Sequence, residues 1–221
     1  MNGIPSVELL IHAGRQRVPY ASSLAWMLAR AGAVRGGGPE AVALLEHDPV
    51  YTLGARAART ALRVAEAALP APLVEADRGG DVTWHGPGQL VLYPVLDLRA
   101  RGLRAGDYVR ALESVAIETL AVWGIVAGRV AGRPGVWVDS AKVAAVGVRI
   151  DRGVTRHGLA LNVSPDLASF APIVPCGLTD ADVTSMARLL GEAPSLPEVA
   201  RAMADAFARE FNVTLVEAAS A

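Results

Sequence analysis

Lysine is nearly missing from this chain of 221 residues: of its 21 basic residues, all but Lys142 are arginine. Arginine stays protonated, whereas a partly buried lysine can give up its proton and serve as acid or base. Lys142 is therefore either a chance survivor in an arginine-biased composition or a residue whose proton matters. Cysteine is as scarce. Cys176 alone cannot close an intramolecular disulfide, in agreement with a reducing compartment. A net charge of -1 and the lack of any Lys/Arg-rich block give no general basic field, which argues against nucleic acid as a partner. No apolar run approaches the ~20 residues of a membrane span, so no membrane partner is expected. The segment Met1-Asn2-Gly3-Ile4-Pro5 places no cationic region ahead of an apolar stretch; no secretory signal is visible and a cytoplasmic location is expected. Four scattered histidines and one cysteine offer no ligand spacing for a metal.

Apolar residues make up 52% of the chain, enough for one sizeable core in a single domain spanning residues 1–221. Val7 to Ile11 reads as a strand and Tyr20 to Ala33 as a helix ended by the glycines from Gly36. Ala41 to Leu53 reads as strand, turn at His47-Asp48-Pro49 and short strand, with His47 a turn residue. Arg56, Arg59 and Arg63 form a short solvated basic patch. Leu73 to Ala76 and Gln89 to Leu98 are strands, and Pro94 marks the second as an edge strand or a bulge. Asp107 can cap a helix reaching Trp123, with Val109, Leu112, Ala116 and Leu120 on one stripe. Short strands follow at Gly124 to Val130 and from Val136, with a turn at Gly132-Arg133-Pro134-Gly135 between them. Lys142 to Ile150 and Val154 to Val163 form a hairpin about Asp151-Arg152-Gly153. Ser195 and Glu198 have the spacing of a capping box opening a helix to Phe211, before a last strand at Val213 to Val216.

Between two of these strands lies Arg78-Gly79-Gly80-Asp81-Val82-Thr83-Trp84-His85-Gly86-Pro87-Gly88-Gln89. Glycine lets main chain approach a ligand closely, so the stretch reads either as a binding loop or as a tight hairpin with incidental polar residues. Cys176 follows Pro175 and precedes Gly177 at the end of an apolar run. A lone cysteine is most simply a small buried hydrophobe, but these neighbours favour an exposed, conformationally fixed thiol. A nucleophilic cysteine needs a base or cation nearby, and Lys142, His85 and His157 are the candidates.

Four segments, in this order, resemble the lipoyl(octanoyl) transferases. They are the stretch from Arg78 through Pro94; Gly135-Val136-Trp137-Val138 with Lys142-Val143-Ala144-Ala145-Val146-Gly147-Val148-Arg149; His157-Gly158-Leu159-Ala160-Leu161-Asn162-Val163 with Pro165-Asp166-Leu167 and Phe170; and Ile173-Val174-Pro175-Cys176-Gly177-Leu178. Trp84 departs from the pattern, which more often has tyrosine there. The resemblance implies an α+β fold with a mixed, largely antiparallel sheet and packed helices, shared with lipoate- and biotin-protein ligases. It implies that Cys176 is the nucleophile and acyl carrier and that Lys142 lowers its pKa and moves protons. It also implies that Arg78 to His85, Ala145-Val146-Gly147 and Gly158-Leu159-Ala160 bind the octanoyl substrate. The implied donor is octanoyl-acyl carrier protein, and the acceptors are lipoyl domains of 2-oxoacid dehydrogenase complexes and the glycine cleavage H protein. Thioester to amide is downhill, so neither ATP nor another cofactor is called for. Acyl carrier proteins are typically acidic, and Arg56, Arg59 and Arg63, or Arg99, Arg101 and Arg104, are candidates for their docking face.

Overall fold

The computed structural model describes residues 4–55, 57, 59–174 and 182–218. Cys176 with its neighbours Pro175 and Gly177, and Arg56, lie outside the described residues. The chain opens with β1 (Ser6–Ile11), β2 (Arg17–Val18) and α1 (Tyr20–Arg35), then β3 (Ala41–His47), β4 (Val50–Leu53), β5 (Leu73–Glu75), β6 (Val82–His85) and β7 (Gln89–Val95). It continues through α2 (Ala105–Ala121), β8 (Gly128–Val130), β9 (Arg133–Val138), β10 (Ala141–Asp151) and β11 (Val154–Asn162). β12 (Asp182–Val183), α3 (Met186–Leu190), α4 (Leu196–Phe211) and β13 (Thr214–Glu217) complete it.

Eight strands run in the order β13-β1-β3-β7-β11-β10-β9-β8, with β2 added to β3 and β12 to β10; a second sheet has the order β5-β4-β6. The large sheet is mixed. β1 pairs parallel with β3 across α1, while β3, β7, β11, β10, β9 and β8 pair antiparallel in turn. Its central strands are buried on both faces, which is why they read as nearly continuous apolar runs. Val42, Leu44, Leu90, Leu92, Leu159 and Leu161 face the layer of α2 and α4. Ala43, Leu45, Val91, Tyr93 and Ala160 face α1, through Met27, Ala31 and Val34. Among the described residues no helix is long and apolar enough to cross a membrane.

Several sequence expectations change here. Pro94 lies on the central strand β7, paired with Val42 of β3, and not on an edge. It is tolerated because the ladder to β11 stops at Leu92↔Leu159, where Pro94 would have to donate. The Thr155 hydroxyl donates to the Pro94 carbonyl and accepts from Leu96 N–H. His47 is the last residue of β3 and fully buried, not a turn residue. Arg104, not Asp107, occupies the α2 N-cap, and Asp107 sits in the first turn, where its charge complements the helix dipole. Arg133 already belongs to β9, and the turn precedes it. The hairpin at Asp151-Arg152-Gly153 forms as read, with positive φ at Arg152 (53°) and Gly153 (92°), the hand that matches strand twist.

Candidate active site

The glycine stretch is more than one loop. Its middle, Val82–His85, forms β6, which pairs with β4 in the small sheet, so the residues before it, Arg78 to Asp81, are held as a strap over β10. Gly79 N–H donates to the Val148 carbonyl at 2.8 Å. The buried Arg78 guanidinium donates to the Thr52 carbonyl (2.7 Å), the Thr52 hydroxyl (2.7 Å) and the Gly79 carbonyl (3.0 Å). The strap lies so close to β10 that a Cβ on Gly147 would sit 3.0 Å from the Gly79 carbonyl oxygen and 3.1 Å from Arg78 Cδ. Close approach of backbone is what glycine permits at that position.

Beneath the strap, on the α1 side of the large sheet, is a narrow cavity of about 50 Å³. Of the expected substrate-binding residues, Arg78, Gly80, Asp81, Val82, Thr83 and His85 line it from the stretch. Ala145, Val146 and Gly147 line it from β10, and Gly158, Leu159 and Ala160 from β11. Gly79 lines an adjoining cleft instead. Trp84 points the other way, buried edge-on against Phe170 (5.4 Å between ring centroids) in the core of the small sheet. His157 lines it too, and Tyr20, Val91 and Tyr93 complete the lining unforeseen. β7 is buried on both faces and carries no period-two signal that would single out Val91 and Tyr93, and nothing in the sequence pointed to Tyr20.

The histidines, far apart in sequence, gather here. His47 and His85 have ring centroids 5.8 Å apart, and His85 stacks on Tyr20 at 6.5 Å. His47 donates from Nδ1 to the Val18 carbonyl (2.7 Å), which leaves Nε2 to accept from the Tyr93 hydroxyl (2.8 Å). Burial pushes His47 down to about 4. His85 lies well below the ordinary range, first from burial, then from His47 and Arg78; its Nδ1 donates to Gln89 Oε1. His157, in the left-handed region at φ 58°, is also lowered by burial, against the opposing pull of Asp77. Its Nε2 donates to Asp77 at 2.8 Å, and Arg156 binds the same carboxylate. Burial raises Asp77, but these two partners outweigh it and hold it low. Of these, His85 and His157 line the cavity, and the downward shift of both favours a neutral imidazole, a better neighbour for an apolar occupant than a proton carrier. Among the described residues no group of three His, Cys, Asp or Glu is placed to hold a metal.

Lys142 lines the adjoining cleft, about 350 Å³, which shares Gly80, Asp81, Val146 and Gly147 with the cavity. It is 7% exposed, with Nζ 4.8 Å from the centroid of the Trp137 ring. β9 slips its register against β10 between Lys142 and Ala144, and Gly135, at φ 120°, packs into the gap. A Cβ there would lie 2.6 Å from the Ala144 carbonyl oxygen and 3.3 Å from Lys142 Cε. The Glu113 carboxylate of α2 accepts from Gly135 N–H (2.9 Å) and from Arg129 Nε (3.0 Å). From the pocket, a line of bonds leads back to this strand: His85 to Gln89, Gln89 to Asn162, Asn162 to the Thr184 carbonyl, and Thr184 N–H to the Lys142 carbonyl. Beyond Cys176 in the sequence comes β12, where Val183 pairs with Lys142.

The model of the lipoyl protein ligase A/B catalytic domain matches residues 19–208. An octanoyltransferase of Chloroflexus aurantiacus is 51% identical over 172 residues, covering 75% of this chain and 77% of that protein. One from Mycobacterium leprae is 44% identical over 214 residues, covering 93% and 90%. The chain belongs to the octanoyltransferase family. A putative lipoate protein ligase of Thermoplasma acidophilum superposes on it with a TM-score of 0.72 at 16% identity, over 96% of this chain and 88% of that one. A lipoate-protein ligase A bound with ATP gives 0.71 at 17% identity, over 96% and 88%. At such identities the likeness is one of fold, and octanoyltransferase and ligase share the α+β architecture. Of the arginines considered for docking, Arg101 is tied to Glu40 and the Phe211 carbonyl, while Arg63, Arg99 and Arg104 are exposed.

Proposed function

We propose that this octanoyltransferase is a single catalytic domain that moves an octanoyl group from octanoyl-acyl carrier protein to a lysine of a lipoyl domain, by way of a thioester on Cys176. The observation that carries the reading is the junction of a cavity of mostly apolar lining, closed at the strap by Arg78 and Asp81, with a cleft holding the chain's sole lysine. The apolar part of the lining suits an alkyl chain, which must widen the space of about 50 Å³ as it enters, and the junction at Val146 and Gly147 suits its thioester. Support for Cys176 is indirect: it is the sole cysteine, and Val183, seven residues later, pairs with Lys142.

In the first half-reaction the Cys176 thiolate attacks the donor thioester carbonyl, and the collapsing tetrahedral intermediate expels the carrier's thiol, protonated by Lys142. In the second, the acceptor lysine amine attacks the Cys176 thioester. Lys142 takes the amine proton, the thiolate departs, and an amide remains. Backbone N–H groups of the strap are candidates to stabilise the oxyanion in each half. The acceptors are the lipoyl domains of 2-oxoacid dehydrogenase complexes and the glycine cleavage H protein. We place the reaction in the cytoplasm, with the single cysteine as support.

Intact-mass measurement after incubation with octanoyl-acyl carrier protein, without ATP and beside Cys176→Ala, tests this reading. Wild type alone should gain one octanoyl group and lose it when a lipoyl domain is added. No mass gain, with modification of the lipoyl domain only from octanoate plus ATP, would make the chain a ligase.

A further inference from the structure

The Lys142 cleft does not end at Lys142. Through Val109, Gly132, Arg133 and Pro134 it runs into a groove of about 310 Å³ between α2 and the strands β8 and β9, lined also by Arg110, Arg129 and Glu113. Among the described residues the lining of this groove holds three arginines and one carboxylate, Glu113. That carboxylate is buried and already accepts from both Arg129 and Gly135 N–H. Arg129 also donates from Nη2 to the Ser114 hydroxyl (2.7 Å) and the Arg110 carbonyl (2.8 Å), so with Glu113 on Nε its guanidinium is fixed in place and offers a ligand Nη1 rather than a two-pronged fork. Asp81, the other acid of the trough, stands at its opposite end, beside the narrow cavity.

We infer that this groove binds the phosphate of the acyl donor's thiol arm. The inference rests on the proposed transfer reaction and adds a location for the part of the donor that does not react. Three zones, each sharing lining residues with the next, match three chemical parts of a carrier-borne thioester: the cavity the alkyl chain, the Lys142 cleft the thioester, and the arginine groove the anionic end of the arm. Guanidiniums are suited to phosphate because two parallel N–H donors meet two oxygens. The lipoyl-domain acceptor brings no phosphate, so the groove discriminates between the two half-reactions.

The test uses two donors that differ only in this group, octanoyl-phosphopantetheine and octanoyl-pantetheine, with a lipoyl domain as acceptor. Wild type should transfer from both, with the higher kcat/KM for the phosphorylated donor. The double variant Arg110→Gln/Arg133→Gln should lower the ratio of the two kcat/KM values by about tenfold or more, chiefly through KM for the phosphorylated donor. A wild-type ratio near one, or an equal loss on both donors in the variant, would overturn the groove assignment while leaving the transfer reading intact. Failure of wild type with both small donors but transfer from octanoyl-acyl carrier protein would overturn the groove assignment, and failure with all three would overturn the transfer reading and the groove with it.

Discussion

Gly135→Ala separates two costs that usually arrive together. Gly135 has φ 120°, a conformation L side chains rarely adopt, and forcing alanine into it costs about 1–3 kcal/mol. The added Cβ also lands 2.6 Å from the Ala144 carbonyl oxygen and 3.3 Å and 3.4 Å from Lys142 Cε and Cδ. Overpacking of this kind adds about 1–3 kcal/mol, so the total lies at about 2–6 kcal/mol. Gly124, just past α2, supplies the control, because it too has positive φ (72°) but nothing within 4 Å of a built Cβ. Gly124→Ala should cost only the backbone part, about 1–2 kcal/mol. Urea unfolding of both variants measures the difference, and single-turnover octanoyl transfer at a temperature where both are folded measures the displacement of Lys142. The strain falls on the slipped register between β9 and β10, so Gly135→Ala should lose at least about tenfold in rate while Gly124→Ala does not. Equal destabilisation of the two, or full activity in Gly135→Ala, would refute the argument that this glycine positions Lys142.

Lys142→Arg keeps the cation and can still stack on Trp137, yet cannot shuttle a proton; turnover should fall by about 10²-fold or more with an unchanged circular dichroism spectrum. Ala160→Leu adds three carbons to the narrow cavity, so kcat/KM for an octanoyl donor should fall about tenfold relative to a butanoyl donor. The folded chain keeps His47 neutral down to about pH 4, whereas the unfolded chain protonates it near 6.5. Stability is therefore whole above ~6.5 and is lost as the pH falls from there toward 4, with His47 contributing roughly 3 kcal/mol at about 1.4 kcal/mol per pKa unit. His85 and His157 act in the same direction, and urea unfolding from pH 8 to 4.5 should show a slope that His47→Gln reduces by about one proton.

Local chemistry was legible in the sequence where it decides structure alone. Glu198 accepts from the Ser195 backbone N–H and hydroxyl, and α4 starts and stops where that box and Asn212 in the left-handed region require. The β10–β11 hairpin follows from Arg152 and Gly153 in the same way. What stayed hidden depends on partners distant in sequence. β12 has two residues and exists because β10 offers an edge at Ala141 and Lys142. Pro94 looked like an edge residue because the matching gap in β11 lies more than sixty residues away. The site divides likewise: the glycine stretch, β10 and β11 announced most of the cavity lining. Trp84 alternates to the far face of β6, and His47 and Tyr20 reach the cluster only after β3 and α1 have packed. Cys176, the residue on which the proposed chemistry turns, lies outside the described residues.

The near absence of lysine has one more consequence. A catalyst whose proposed acceptor is a lysine amine runs the hazard of modifying itself, since an activated acyl group meets its own surface before it meets a partner. Here every other basic side chain is a guanidinium, which does not acylate under such conditions, and the lone lysine amine is 7% exposed against an indole. The arginine bias thus keeps the basic side chains of the exterior inert to the reaction the interior is proposed to perform.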